Sequence, residues 1–268
     1  MQPAVKQEWV ALNAPLEGVL SFMYLDSKGY VTTGMGNLID STDAANTLPW
    51  KRANGEEASP SEIARAWIAV NARTDLSQQG GGAFENVTSL RLSDFDIQRL
   101  IASKLEQFEG ALKVSYPNFE NWPADAQMGA LSMAWAMGPG YPARFPRFSK
   151  AVNQLLPDFE LAAVESKMVD PIPRNAMNRA LFENAAYVLQ KNLDPTRLYY
   201  PRILNISGGG TASGSGGYQT SATPSSRGGM SLAPLALAGL AGAAWFTRGK
   251  WLPLFQTPTP KEEPENAG

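Results

Sequence analysis

Apolar positions recur along this chain in two periods, alternating near the amino terminus and stepping by three and four residues further on. Val5, Trp9 and Leu12 form a stripe that predicts a short helix from about Pro3 to Leu12, which Asn13 and Pro15 are expected to interrupt before Glu17. Phe22 to Leu25 and Tyr30 to Thr33 are rich in aromatic and β-branched residues. They flank Asp26-Ser27-Lys28-Gly29, whose leading Asp and closing Gly suit a four-residue turn, so a β-hairpin is predicted with Glu17 at its entrance. Asp40 to Asn54 is mostly polar and reads as a loop bordering a cleft. Ser59-Pro60-Ser61-Glu62 signals a helix start into Ile63 to Val70, and Gln78-Gln79-Gly80-Gly81-Gly82 reads as a mobile break.

The helical period dominates from Ser93 onward. Ser93 and Asp96 resemble a capping box, and Ile97, Leu100, Ile101, Leu105, Phe108 and Leu112 mark one core-facing stripe. Pro123 opens a helix over Ala124 to Met137 that Gly138-Pro139-Gly140 must stop. Being apolar nearly all round, that helix is expected at the centre of the molecule. Two more helices are predicted, Asp158 to Met168 and Arg174 to Gln190. The sum is an α+β protein with one small sheet near its start and a mainly helical remainder.

Composition changes sharply near Ser207, dividing the 268 residues into a folded unit over 1–206 and an appendage. Residues 207–229 are a flexible linker rich in Gly, Ser and Thr. The 230–255 segment carries an uncharged run, Leu232 to Phe246, followed by Arg248, Lys250 and Trp251. Stretched to Met230 and Thr247, the run reaches the lower edge of what spans a bilayer, so membrane contact is one reading, and a disordered tail or a docking peptide the others. Residues 256–268 form a charged tail. The amino terminus is polar and shows no apolar core of a signal peptide.

Charge narrows the partners. With 23 basic against 25 acidic residues and no basic run, nucleic acid is not an expected partner. The chain has no histidine and no cysteine, which removes disulfides, thiolate chemistry and the usual zinc ligands; no metal or cofactor is expected. Carboxylates are then the natural proton donors near neutral pH. Glu17, set near Trp9, Phe22 and Met23, offers one, and Asp26 in its hydrated turn offers a second. Thr32 supplies a hydroxyl able to hold a water. Cutting a glycosidic bond needs such a set: an acid for the leaving oxygen and a second group that presents water or stabilises the sugar cation. Each residue alone has an ordinary structural explanation, as a helix-end Glu, a turn-capping Asp or a strand Thr.

Their ordered combination resembles the phage T4-type lysozyme family, a group of glycoside hydrolase family 24-like muramidases, whose pattern is E-G-x5-Y-x-D-x2-G-x2-T-x-G-x-G. Every fixed position is met, by Glu17, Gly18, Tyr24, Asp26, Gly29, Thr32, Gly34 and Gly36. More weakly, Ser93 to Asp96, Leu131 to Gly138 and Arg174 to Phe182 also resemble that family, extending the likeness to about residue 205. The resemblance implies a two-lobed fold with a cleft between a hairpin lobe and a helical lobe. It also implies Glu17 as general acid and Asp26 with Thr32 as holders of the nucleophilic water. The expected partner is bacterial peptidoglycan, cut between N-acetylmuramic acid and N-acetylglucosamine with inversion by a monomeric catalytic domain. Tyr24, Tyr30 and Met35 are candidates to line sugar subsites or, equally, to serve the core. Arg144, Arg147, Arg174 and Arg179 are candidates to meet peptide carboxylates, or ordinary salt-bridge partners. The family carries a histidine where this chain has Asn37, so the ion pair made by that histidine is absent here. A lytic transglycosylase and a silent wall-binding virion module are the alternatives. A phage enzyme, acting from the virion or from the host cytoplasm on the periplasmic wall, and a secretion-system effector would both agree with the sequence.

Overall fold

Val5, Trp9 and Asn13 repeat at four-residue steps and are all buried, so the first helix, α1 (Pro3–Glu17), presents one continuous face to the interior. The computed structural model describes residues 1–169, 172–202 and 204. The linker, apolar segment and charged tail expected over 207–268 lie outside the described residues. Helix α1 does not stop at Asn13 as its sequence suggests. Pro15 lies in the last turn, where its missing N–H forfeits a single intrahelical bond. Asn13 Nδ2 donates to the Trp9 carbonyl at 3.1 Å, and the Gly18 N–H closes the turn on Ala14 at 2.8 Å. Burial of the stripe outweighs the proline, and Glu17 becomes the last residue of the helix.

The hairpin forms where the alternating pattern placed it. Strands β1 (Leu20–Leu25) and β2 (Val31–Gly34) pair antiparallel with Tyr24 opposite Thr32 and Leu25 opposite Val31. A short β3 (Asn37–Leu38) adds a third strand, in the order β1-β2-β3. Asp26 shapes the turn through its side chain, since Oδ1 accepts the N–H of Lys28 and of Tyr30, each at 2.9 Å.

Two loop expectations need correction. Inside the stretch Asp40 to Asn54 the chain makes helix α2 (Thr42–Asn46), because Ser41 Oγ caps it by accepting the Ala44 N–H at 3.1 Å. The glycine run near residue 80 is not a loose break. It links two 3₁₀ turns, Thr74–Gln79 and Gly81–Phe84, and Gly81 lies so tightly on β1 that a Cβ there would sit 2.5 Å from Leu20 Cδ1.

Helix α3 (Pro60–Asn71) starts with the anticipated box, the Ser59 N–H donating to Glu62 Oε2 at 2.8 Å, and packs on β1. Helix α4 (Asp94–Ser115) buries Ile97, Ile101, Leu105, Phe108 and Leu112 of its predicted stripe, while Leu100 is only partly buried. Every residue of α5 (Ala124–Met137) from Ala124 to Trp135 is buried, which makes it the central helix. Around it pack α1, α4 and α8 (Ile172–Gln190). Helix α7 (Phe159–Glu165) lies against α8, and α6 (Pro146–Val152), too short to show a period in sequence, buries Phe148, Ala151 and Val152. The α+β class therefore holds, with a small antiparallel sheet and a helical majority. Among the described residues no helix is long and apolar enough to cross a membrane.

Asp125 ties the last described segment to this helical core. Its Oδ1 accepts from Asn184 Nδ2 and the Tyr200 N–H, and its Oδ2 from the Tyr199 N–H, at 2.9 to 3.0 Å. Asn184 continues the chain by accepting the Leu204 N–H at 2.8 Å. Burial pushes the Asp125 carboxyl above the usual range while these donors pull it back.

Candidate active site

Glu17 ends α1 where the helix gives way to β1, so its side chain stands at the junction of helix and hairpin. A carboxylate there faces the negative end of the helix dipole and needs a cation. Arg174, in the first turn of α8, provides it: Nη2 donates to Glu17 Oε1, while Nη1 donates to Ser132 of α5, at 3.1 Å to Oγ and 3.3 Å to the carbonyl. Three helices distant in sequence thus converge on one carboxyl group. Arg174 is almost wholly buried and its Nε has no partner among the described residues. Burial lowers its pKa, and the Glu17 charge opposes the shift. Glu17 keeps 22% of its side chain exposed, and Oε2 takes no protein hydrogen bond among the described residues. One oxygen is anchored; the other is open.

Asp26 has the same division. Oδ1 is saturated by the two turn N–H groups, and Oδ2 has no protein partner among the described residues. Tyr24 stands between the two carboxylates electrically. Burial, together with the charges of Glu17 and Asp26, pushes its hydroxyl up to about 12 against the opposing influence of the Gly36 backbone. Directly across from Tyr24 on β2 is Thr32, whose Oγ1 donates to the Tyr30 carbonyl at 3.0 Å. Its only proton is committed there, so toward any further group the hydroxyl is an acceptor. Thr32 is 3% exposed, so its hydroxyl lies buried beneath the hairpin surface.

Among known proteins, no family model and no curated sequence matches this chain, and its own geometry carries the reading. Tyr24 lies within electrostatic reach of both Glu17 and Asp26 and stands opposite Thr32 in the hairpin. Tyr30 is 57% exposed and available to a ligand, whereas Met35 is fully buried and has no surface to offer a sugar. Tyr24 is nearly buried and its ring lies against Gly81, so it braces the site more than it lines it.

Lys104 of α4 is a participant that sequence patterning does not single out. Its ammonium donates to the Gly36 carbonyl at 2.8 Å and lies 4.1 Å from the centre of the Trp135 ring. Burial draws its pKa down to about 8, and the Glu17 charge, acting through space, opposes the shift. Of the arginines named from sequence, Arg174 joins the site. Arg144 donates to the Met137 carbonyl, Arg147 pairs with Glu165 and Arg179 with Glu183, the ordinary roles left open for them. Arg174 and Glu17 are 157 residues apart, a juxtaposition no local pattern encodes. Among the described residues no cluster of acidic side chains could hold a metal ion.

Proposed function

We propose that this protein is a muramidase, hydrolysing the β-1,4 bond between N-acetylmuramic acid and N-acetylglucosamine in bacterial peptidoglycan, on a two-lobed lysozyme-like fold. The observation that carries the reading is two half-anchored carboxylates, Glu17 with Oε2 open and Asp26 with Oδ2 open, whose charges both reach Tyr24, the strand partner of Thr32.

In this reading Glu17 delivers a proton from Oε2 to the leaving glycosidic oxygen while Arg174 holds Oε1 and fixes the carboxyl plane. A water donates one hydrogen to Asp26 Oδ2 and the other to Thr32 Oγ1, which turns its lone pair toward the anomeric carbon. Asp26 takes up the proton released as the new bond forms. With both turn N–H groups on Oδ1, Oδ2 is held in place to do so at no rotamer cost. Attack on the face opposite the acid inverts the anomeric centre, the outcome that the resemblance to T4-type lysozymes also implies.

Product analysis on purified peptidoglycan tests this directly. The expected product carries a reducing N-acetylmuramic acid, seen first as the α-anomer by proton NMR. A 1,6-anhydro product would make the protein a lytic transglycosylase, and a first-formed β-anomer would remove the positioned-water mechanism.

A further inference from the structure

A half-buried ammonium with no carboxylate bonded to it is costly, and Lys104 is one. Among the described residues it forms no ion pair; its contacts are the Gly36 carbonyl and the faces of Trp135 and Phe108, at 4.1 and 5.6 Å. An ammonium has three protons to donate, and Gly36 takes one. Trp135 Nε1, buried beside it, has no acceptor among the described residues. Both nitrogens converge on Gly36, where an added Cβ would lie 3.9 Å from Lys104 Nζ and 4.0 Å from Trp135 Nε1. Gly36 has φ +69°, so both conformation and space favour glycine at this point.

Lys104 borders an open groove of about 310 Å³ between β3 and α4, lined also by Gly36, Asn37, Leu38, Leu100, Ser103 and Gln107. Among the described residues the Asn37 Oδ1 is buried without a partner, Ser103 and Gln107 add polar edges, and no acidic residue borders the groove. A plain structural contact on the two rings would be served better by an apolar side chain, which carries no desolvation cost. We propose that Lys104 is a specificity residue, and that its ammonium binds a carboxylate carried by the substrate as a substituent of the glycan beside the scissile bond.

This inference rests on the muramidase reading and narrows it: the preferred wall bears free carboxylates next to the cut. Two sources share that chemistry, the stem peptide and the lactyl group of muramic acid. Lys104 does not move a proton in the reaction, so its effect belongs in KM.

The test compares wild type, Lys104→Met and Lys104→Arg on three preparations of one glycan: peptide carboxylates free, the same carboxylates converted to primary amides, and peptides removed so that lactyl carboxylates are free. The wild type is expected to show about a tenfold lower KM on one carboxylate-bearing wall than on the amidated wall, with kcat unchanged, as one charge-assisted hydrogen bond would give. Which wall it prefers names the source. Lys104→Met should lose the preference and Lys104→Arg retain it. An equal preference in wild type and Lys104→Met, or none in the wild type, overturns the role of Lys104 while cleavage of the amidated wall keeps the muramidase reading intact. Failure to cleave any of the three removes both.

Discussion

Glu17 and Lys104 are charged groups placed where burial makes each expensive, and their neighbours decide what each can do. Arg174 bonds Glu17 and is itself held by Ser132, so its loss would strand a carboxylate at the negative end of a helix. Arg174→Met is expected to cost about 3 kcal/mol in urea unfolding, and Arg174→Lys to recover part of it, since an ammonium cannot reach Ser132 and Glu17 in the same fork. Lys104 has the opposite sign. It ionises at about 8 in the folded chain against 10.5 as the ordinary lysine value, so between those values the unfolded chain binds more protons and stability rises with pH. Lys104→Met should therefore be more stable than wild type by about 2 kcal/mol at pH 7, with the gap closing by pH 11 in paired urea titrations. A gap that stays constant with pH would mean Lys104 is not held charged at a cost. The motif residues Glu17, Asp26 and Thr32 were legible in sequence because they sit within one short ordered stretch. Arg174 and Lys104 reach the same place from α8 and α4, and only tertiary packing brings them there.

Elements with a strong period were readable, and those set by contacts were not. The stripe of α4 and the all-apolar α5 follow directly from residues such as Ile97, Ile101, Leu105 and Leu131. Pro15 misled in the other direction, because its local cost is confined to one bond while Val5, Trp9 and Asn13 bury a whole face. The glycine run misled most. Composition suggests mobility, yet Gly81 packs so closely on β1 that a Cβ would also lie 3.0 Å from Tyr24 Cδ2. Gly81→Ala should cost about 1 to 3 kcal/mol by overpacking, read as a lower melting temperature, and should also reduce activity because Tyr24 feels the charges of both carboxylates. Unchanged stability would show that Leu20 and Tyr24 can yield and that the Gly81–Phe84 turn packs loosely on β1.

Across the whole molecule, the site depends on helices α1, α5 and α8 holding one arrangement, and Asp125 secures the far end of that group. Asp125→Ala leaves the Tyr199 and Tyr200 N–H groups and the Asn184 amide without their acceptor, so a loss of about 3 kcal/mol is expected. Hydrogen exchange at Tyr199 and Tyr200 should accelerate ahead of α8; exchange that rises uniformly would mean the segment is not latched by Asp125. The central claim concerns chemistry at the other end of the same helices. Glu17→Gln keeps the shape and one acceptor toward Arg174 but has no proton to deliver. The deciding measurement is release of reducing ends from purified peptidoglycan by wild type and by Glu17→Gln, with folding of both checked by circular dichroism. The account predicts release by wild type and a loss of at least about a hundredfold in the folded variant; equal release by both would contradict it.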